Sequence, residues 1–167
     1  MGRRTLVLVR HAKSDYPPSV EDHDRPLSER GERDAEAAAA ALRGQEPELV
    51  LCSTAARARR TWDLIETGLG HLVTVQYERA LYNATPRAIL GLVRSTDEGV
   101  RRLAVVAHNP GTQELAEQLA GRGKNAELRR MAQKFPTAGI AVLAVDGSWS
   151  ELDAGGARLV AFHVPRG

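Results

Sequence analysis

Apolar positions come in two rhythms along this chain, and the rhythms alternate. Thr5-Leu6-Val7-Leu8-Val9 is a short, almost wholly apolar run between basic residues. Such a run predicts a strand buried on both faces of a parallel sheet. The polar stretch from Asp15 to Arg25, with Pro17-Pro18, predicts a loop beside the strand's end. A helix follows, capped by Ser28 with Glu29 in its first turn. Gly31 stands where a capping-box glutamate would sit, so the start signal is incomplete. Ala35, Ala38, Ala39 and Leu42 form a narrow apolar stripe that lets this helix lie close to a sheet, and Gly44 and Pro47 end it.

The scheme then repeats. Leu49-Val50-Leu51-Cys52 predicts a second strand, and Ser53-Thr54 the cap of a helix with Ala58, Trp62 and Ile65 inward, closed by Gly68 and Gly70. Val73 to Tyr77 predicts a third strand. A loop through Leu81-Tyr82-Asn83 leads to Pro86, which suits the first turn of a helix running to about Arg94. Leu103 to Ala107 predicts a fourth buried strand, and Asn109-Pro110-Gly111 the start of a helix with Leu115, Ala116 and Leu119 inward. From Gly121 to Lys134 the chain reads as basic and irregular. Ile140 to Val145 is a strand, Asp146-Gly147 a hairpin turn, Trp149 to Leu152 its return, and Leu159 to Val164 a last strand. Strands alternating with helices predict an α/β fold, a three-layer αβα arrangement around a mostly parallel mixed sheet. Residues 1–167 read as one domain.

Three predicted strand ends carry chemistry. The first delivers Arg10 and His11; the second Ser53, then Arg57 and Thr61 on one helix face; the fourth His108. Ligands of open α/β sheets collect beyond the carboxyl ends of strands. Arg57 lies in the first turn of its own helix, where a cation faces the positive end of the macrodipole at a cost of roughly 0.3–1 kcal/mol. An anion bound there removes the penalty, because free backbone N–H groups and a guanidinium fork both suit phosphate oxygens. Two histidines and two arginines around one anion suit phosphoryl transfer through a phosphohistidine. His11 would attack as neutral imidazole, its other nitrogen held by a backbone carbonyl, while Arg10, Arg57 and His108 spread the charge on the equatorial oxygens. Such a reaction requires no metal or other cofactor.

Composition narrows the partners. The formal charge is +2 and aromatic residues make up 4% of the chain, which argues against a nucleic-acid binder with stacking platforms. Cys52 is the single cysteine, so no internal disulfide or multi-cysteine zinc site can form, and the cytoplasm is the expected compartment. No run approaches a membrane span. Met1-Gly2 is similar to a myristoylation start, but Leu6 stands where Ser or Thr is needed, so the chain reads as unanchored. No long exposed apolar stripe is evident, and a monomer is expected.

Arg10-His11-Ala12, the Ser53…Arg57…Thr61 spacing and His108 after an apolar strand resemble the histidine phosphatase superfamily, of phosphoglycerate-mutase-like fold. Within it, Arg10 to Ser14, Asp24-Arg25-Pro26-Leu27-Ser28 through Gly31, and Phe135-Pro136-Thr137-Ala138 resemble the short SixA-type branch, named for a phosphohistidine phosphatase. The resemblance implies His11 as the phosphorylated nucleophile and Arg10, Arg57 and His108 as the phosphate pocket. Arg25, Asn109, Ser53 and Lys13 are expected at the substrate, with Arg25 and the Asn109 backbone at the rim. Many superfamily members that act on esters carry a glutamate general acid after the third strand; Glu78 is the one carboxylate in that region here. Asp15, Glu21, Asp22 and Asp24 are loop alternatives that read as solvated charges.

A poor alkoxide leaving group needs a proton, whereas a phosphoramidate departs more easily. Tyr77 to Arg102 also has room for one helix and no large lid. Both points favour a phosphorylated protein of the histidine-phosphotransfer type as substrate, with a small phosphorylated metabolite (a sugar or nucleotide phosphate) as the alternative. A non-catalytic phosphoprotein-binding module and a metal phosphohydrolase, prompted by His23-Asp24, are the remaining readings.

Overall fold

The computed structural model describes residues 3–123 and 125–167. Met1-Gly2, read above as carrying no lipid signal, and Lys124 lie outside the described residues. Among the described residues seven strands join one sheet in the order β3-β2-β4-β1-β6-β7-β5. These are β1 (Arg3–Arg10), β2 (Leu49–Ser53), β3 (Thr74–Glu78), β4 (Arg102–Ala107), β5 (Ala120–Gly123), β6 (Ile140–Asp146) and β7 (Ala157–His163). The helices of the described residues cover the faces: α1 (Glu29–Leu42), α2 (Ala56–Leu69), α3 (Pro86–Arg94), α4 (Gly111–Leu119) and α5 (Asn125–Gln133). β1, β2, β3 and β4 run parallel, β6 runs antiparallel to both β1 and β7, and β5 is parallel to β7. The architecture is the expected mixed, mostly parallel α/β sandwich. Between β3 and β4 the chain forms one short 3-10 turn and α3, with no large insertion.

The apolar strands are buried on both faces because each face meets helices, and their residues alternate between two cores. Val7, Val9, Val50, Cys52, Val106 and Val142 pack against Ala38 and Leu42 of α1 and Ala58, Trp62 and Ile65 of α2. Leu6, Leu8, Leu51, Val105 and Leu143 pack against Ile89, Leu115 and Met131 of α3, α4 and α5. Among the described residues no helix is long and apolar enough to cross a membrane.

Several elements depart from expectation. α2 starts at Ala56 with Ala55 as N-cap and no side-chain cap, so Ser53 and Thr54 do not cap it. Their hydroxyls face histidines instead, as described below. Gly68 lies inside α2, where a Cβ would come within 2.5 Å of Ala39 Cβ; it sets the close α1–α2 contact, and Gly70, at φ +81°, ends the helix. The stretch expected to be irregular forms β5 and α5. Its few apolar residues give a weak signal, and the helix gains its place from the sheet: Met131 is fully buried and Glu127 accepts the backbone N–H of Phe162 at 3.1 Å. Trp149 to Leu152 is a turn, not a return strand; the Trp149 indole is buried and donates to the Val100 carbonyl at 2.8 Å, and β7 takes the place beside β6.

Candidate active site

The pocket opens where two parallel neighbours send their chains to opposite faces. β1 leads to α1 on one face and the adjacent β4 to α4 on the other, which leaves a crevice at their carboxyl ends. Arg10 pairs with Ala107 across the ladder, so the next residues, His11 and His108, leave the sheet side by side with ring centroids 5.1 Å apart. A cavity of about 430 Å³ lies over them, and Arg10, Lys13, Arg25, Arg57 and Asn109 also line it.

Backbone contacts fix the first loop. The His11 N–H donates to Ala107 O at 3.1 Å, and the Ala12 N–H donates to Thr61 Oγ1 at 2.9 Å. Thr61 Oγ1 in turn donates to Arg57 O at 2.7 Å, so one hydroxyl ties the His11 loop to the first turns of α2. On the other side, Ala138, in the left-handed region at φ +63°, donates its N–H to the carbonyls of Arg10 and His11. The Phe135 carbonyl accepts from Arg10 Nη1 at 2.9 Å and from Asn109 Nδ2 at 3.1 Å. The Phe135–Ala138 segment therefore clamps the end of β1. Gly31 explains its own missing glutamate: a Cβ there would lie 2.0 Å from Lys13 O, so only glycine lets α1 start against this loop. Ser28 Oγ still accepts the Gly31 N–H at 3.0 Å.

His11 Nδ1 lies 2.7 Å from its neighbour's carbonyl, Ala12 O. A carbonyl only accepts, so Nδ1 carries the proton and Nε2 keeps its lone pair. Burial pushes the imidazole pKa down to about 3, against the Ala12 bond and helped by His108 and the arginines, so the ring is neutral across the physiological range. His108 is lowered to about 4, again by burial first and by Arg57 next. Its Nε2 sits 2.7 Å from Ser53 Oγ. Arg57 is 4% exposed, its Nε has no hydrogen-bond partner among the described residues, and its guanidinium lies 5.8 Å from the Tyr82 ring.

The expected site residues thus divide. Arg10, His11, Arg57 and His108 meet in one pocket with Lys13, Arg25 and Asn109. Ser53 does not reach the pocket wall: it is fully buried behind His108, where its hydroxyl also accepts the Ala55 N–H at 3.2 Å. Its expected contact with substrate is corrected to support of the His108 ring. Glu78 is also corrected. It ends β3 opposite Ser53 and lines a separate cavity with Leu49, Leu51, Gln76 and Thr96, because β3 is the sheet edge, one strand beyond β2.

The carboxylate in the pocket is Asp22, read from sequence as solvated. It accepts from the Tyr82 hydroxyl, from Arg25 Nε at 3.0 Å and from Arg57 Nη2 at 3.2 Å. Those bonds, Tyr82's first, hold its pKa down at about 2. Tyr16, Asn83 and Thr137 join the lining as well. Thr137 belongs to the Phe135–Ala138 motif quoted above, whereas sequence offered no signal for Tyr16 and Asn83, whose loops meet the motifs only in three dimensions. His23 is engaged at the rim, with Nε2 2.8 Å from Thr54 Oγ1 and its ring edge-on to Tyr82.

Comparison with known proteins agrees with this architecture. The family model of the histidine phosphatase superfamily (branch 1) matches residues 6–145. An uncharacterized protein of Mycobacterium tuberculosis is 46% identical over 162 residues, covering 95% of this chain and all of the relative. A solved structure from Nakamurella multipartitia, provisionally assigned as the phosphohistidine phosphatase SixA, superposes with a TM-score of 0.87 at 32% identity, covering 99% of this chain and 98% of that one. A second, from Agrobacterium tumefaciens with the same provisional assignment, gives 0.81 at 31% identity, with 97% and 98% covered. Fold and family together define the class as an α/β phosphatase, a hydrolase. The chain belongs to the histidine phosphatase superfamily, within its SixA-type branch.

Proposed function

We propose that this chain hydrolyses phosphohistidine on a protein, with His11 as the nucleophile. The observation that carries the reading is the His11–Ala12 contact, which leaves Nε2 unprotonated in a pocket lined by Arg10, Arg57 and His108. In the first half-reaction Nε2 bonds to phosphorus as the substrate's N–P bond breaks, and the departing imidazole keeps the electron pair and takes a proton from solvent, which the water consumed in the second half-reaction returns. Arg10, Arg57 and His108 balance the charge on the equatorial oxygens, the dominant demand of phosphoryl transfer. In the second half-reaction water adds to phosphorus, the bond to His11 breaks, and inorganic phosphate leaves with His11 restored as neutral imidazole.

The choice of phosphohistidine over an ester rests on the leaving group. Asp22 is the carboxylate in the pocket and is held ionised, so it carries no proton to give an alkoxide. The absence of a large insertion between β3 and β4 keeps the mouth accessible to a phosphoryl group borne on a protein surface. The SixA assignments of the two similar structures support the same substrate class. We read residues 1–167 as one domain acting as a cytoplasmic monomer. In support, every strand among the described residues belongs to one sheet, and the lone Cys52 is buried with its thiol pushed up to about 12 by desolvation.

The test is to offer phosphohistidine protein, a sugar phosphate and an aryl phosphate in parallel and compare kcat/KM. Phosphohistidine protein is expected to lead, with an acid-labile phosphoenzyme trapped on His11. A clear preference for the sugar phosphate overturns the substrate assignment, and labelling elsewhere overturns the mechanism.

A further inference from the structure

A second cavity, of about 290 Å³, adjoins the catalytic pocket and shares Arg10, Lys13 and Thr137 with it. Arg30, Lys134, Pro136 and Arg166 complete its wall, so five cationic side chains and no carboxylate line it. One carboxylate lies against these residues: Asp34, 1% exposed, which is 3.7 Å from Arg30 Nε and 3.5 Å from Arg166 Nη1. It neutralises one charge of the two it touches. Lys13 and Lys134 are exposed and form no side-chain hydrogen bond or ion pair among the described residues. A chain with a formal charge of only +2 has concentrated unpaired cations beside its candidate nucleophile.

Such an excess repels itself unless an anion is present, and it is the field that draws one in. We propose that this annex seats a second anionic group of the substrate, a carboxylate side chain flanking the phosphohistidine of an acidic protein segment. The proposal rests on the reading of His11 as the phosphoryl acceptor. A protein carboxylate fits better than the second phosphate of a small metabolite because the annex offers no aromatic or broad apolar wall to hold one, with Pro136 its single apolar residue. The exposed, flexible lysines suit a group presented from outside.

The test uses the full chain and three probes: a phosphohistidine peptide with flanking Asp and Glu, the same peptide with Asn and Gln, and para-nitrophenyl phosphate. Two variants are made, Lys134→Glu, which breaks no internal contact, and Arg30→Gln/Lys134→Glu, in which Asp34 keeps Arg166. The acidic peptide is expected to exceed the neutral one in kcat/KM for the wild type, with the advantage lost near 0.5 M salt. The variants should lower kcat/KM for the acidic peptide about three- to tenfold and change the other two probes less than twofold. Equal activity on both peptides in the wild type, or equal loss on all probes, overturns the annex. A small bisphosphate is run beside these probes, and if it responds to the variants while the acidic peptide does not, the protein-carboxylate assignment is overturned. The two readings fail separately: no turnover of either phosphohistidine peptide beside hydrolysis of para-nitrophenyl phosphate overturns phosphohistidine hydrolysis, whereas equal turnover of both peptides overturns the annex alone.

Discussion

Arg57 and Asp22 are paired twice: Nη1 donates to the Asp22 carbonyl at 2.7 Å and Nη2 to its carboxylate at 3.2 Å. The guanidinium that faces the candidate nucleophile is thus engaged by an acidic loop, and an incoming phosphate meets that carboxylate as a competitor for the same cation. Asp22→Asn removes the competing charge and keeps the shape. Inhibition by inorganic phosphate should tighten about three- to tenfold, in line with one ion pair whose carboxylate is half-exposed and one like-charge contact. Weaker inhibition would show that Asp22 acts mainly by holding Arg57 in place.

His11→Ala should abolish covalent labelling and lower kcat at least about 10³-fold, because the nucleophile has no substitute in the pocket. Affinity for phosphate should remain within about fivefold, since Arg10, Arg57 and His108 stay. Single-turnover labelling and phosphate titration read the two effects separately, and turnover surviving in this variant would move the nucleophile elsewhere.

Thr61→Val leaves the buried Ala12 N–H without its acceptor. An unsatisfied buried donor costs about 1–3 kcal/mol, measurable as a lower midpoint in denaturant. Because the same hydroxyl joins the His11 loop to α2, kcat should fall more than KM rises. Unchanged stability would mean that the N–H finds another partner.

Gly31→Ala forces apart α1 and the Lys13 backbone, which a Cβ would meet at 2.0 Å. The expected result is a loss of stability of about 1–3 kcal/mol together with reduced turnover, since the displaced loop carries His11. Stability lost with turnover intact would place the strain in the helix alone.

His11 and His108 are both lowered, to about 3 and about 4, so the unfolded chain binds their protons first as pH falls. With more protons on the unfolded state, stability decreases as pH drops from about 6.5 towards 4 and is fully present above that window. Thermal melts across pH 4–7 should show this slope, and a His11→Asn/His108→Asn variant should flatten it. Bound phosphate should also reduce the slope, because an anion favours the charged imidazoles. An equally steep slope in the double variant would assign the acid sensitivity to other groups.

Much of the fold was legible because local pattern and tertiary need agree. The apolar runs became the central strands, and Ala35, Ala38, Ala39 and Leu42 became the buried stripe of α1. Ser28 caps α1 and Pro86 opens α3, as such residues do. The signal failed where packing supplies what the local sequence lacks, as in α5, whose large apolar residues are Leu128 and Met131 alone, and at Trp149, whose strand-like surroundings hide a plug inserted into the core. Glu78 misled for a different reason. Its nearness in sequence to the expected acid says nothing about which strand of the sheet carries it.

The sequence by itself determined the alternation of elements and the residues placed at strand ends, because periodicity and chain direction are properties of neighbours along the chain. That was enough to bring Arg10, His11, Arg57 and His108 into one expectation. Only the tertiary structure decided that Ser53 stands behind His108, that Asp22 and not Glu78 enters the pocket, and that Lys13, Arg30, Lys134 and Arg166 share a wall. Those contacts join loops and termini far apart in sequence, and their energies depend on burial and distance, which no single stretch of the chain contains.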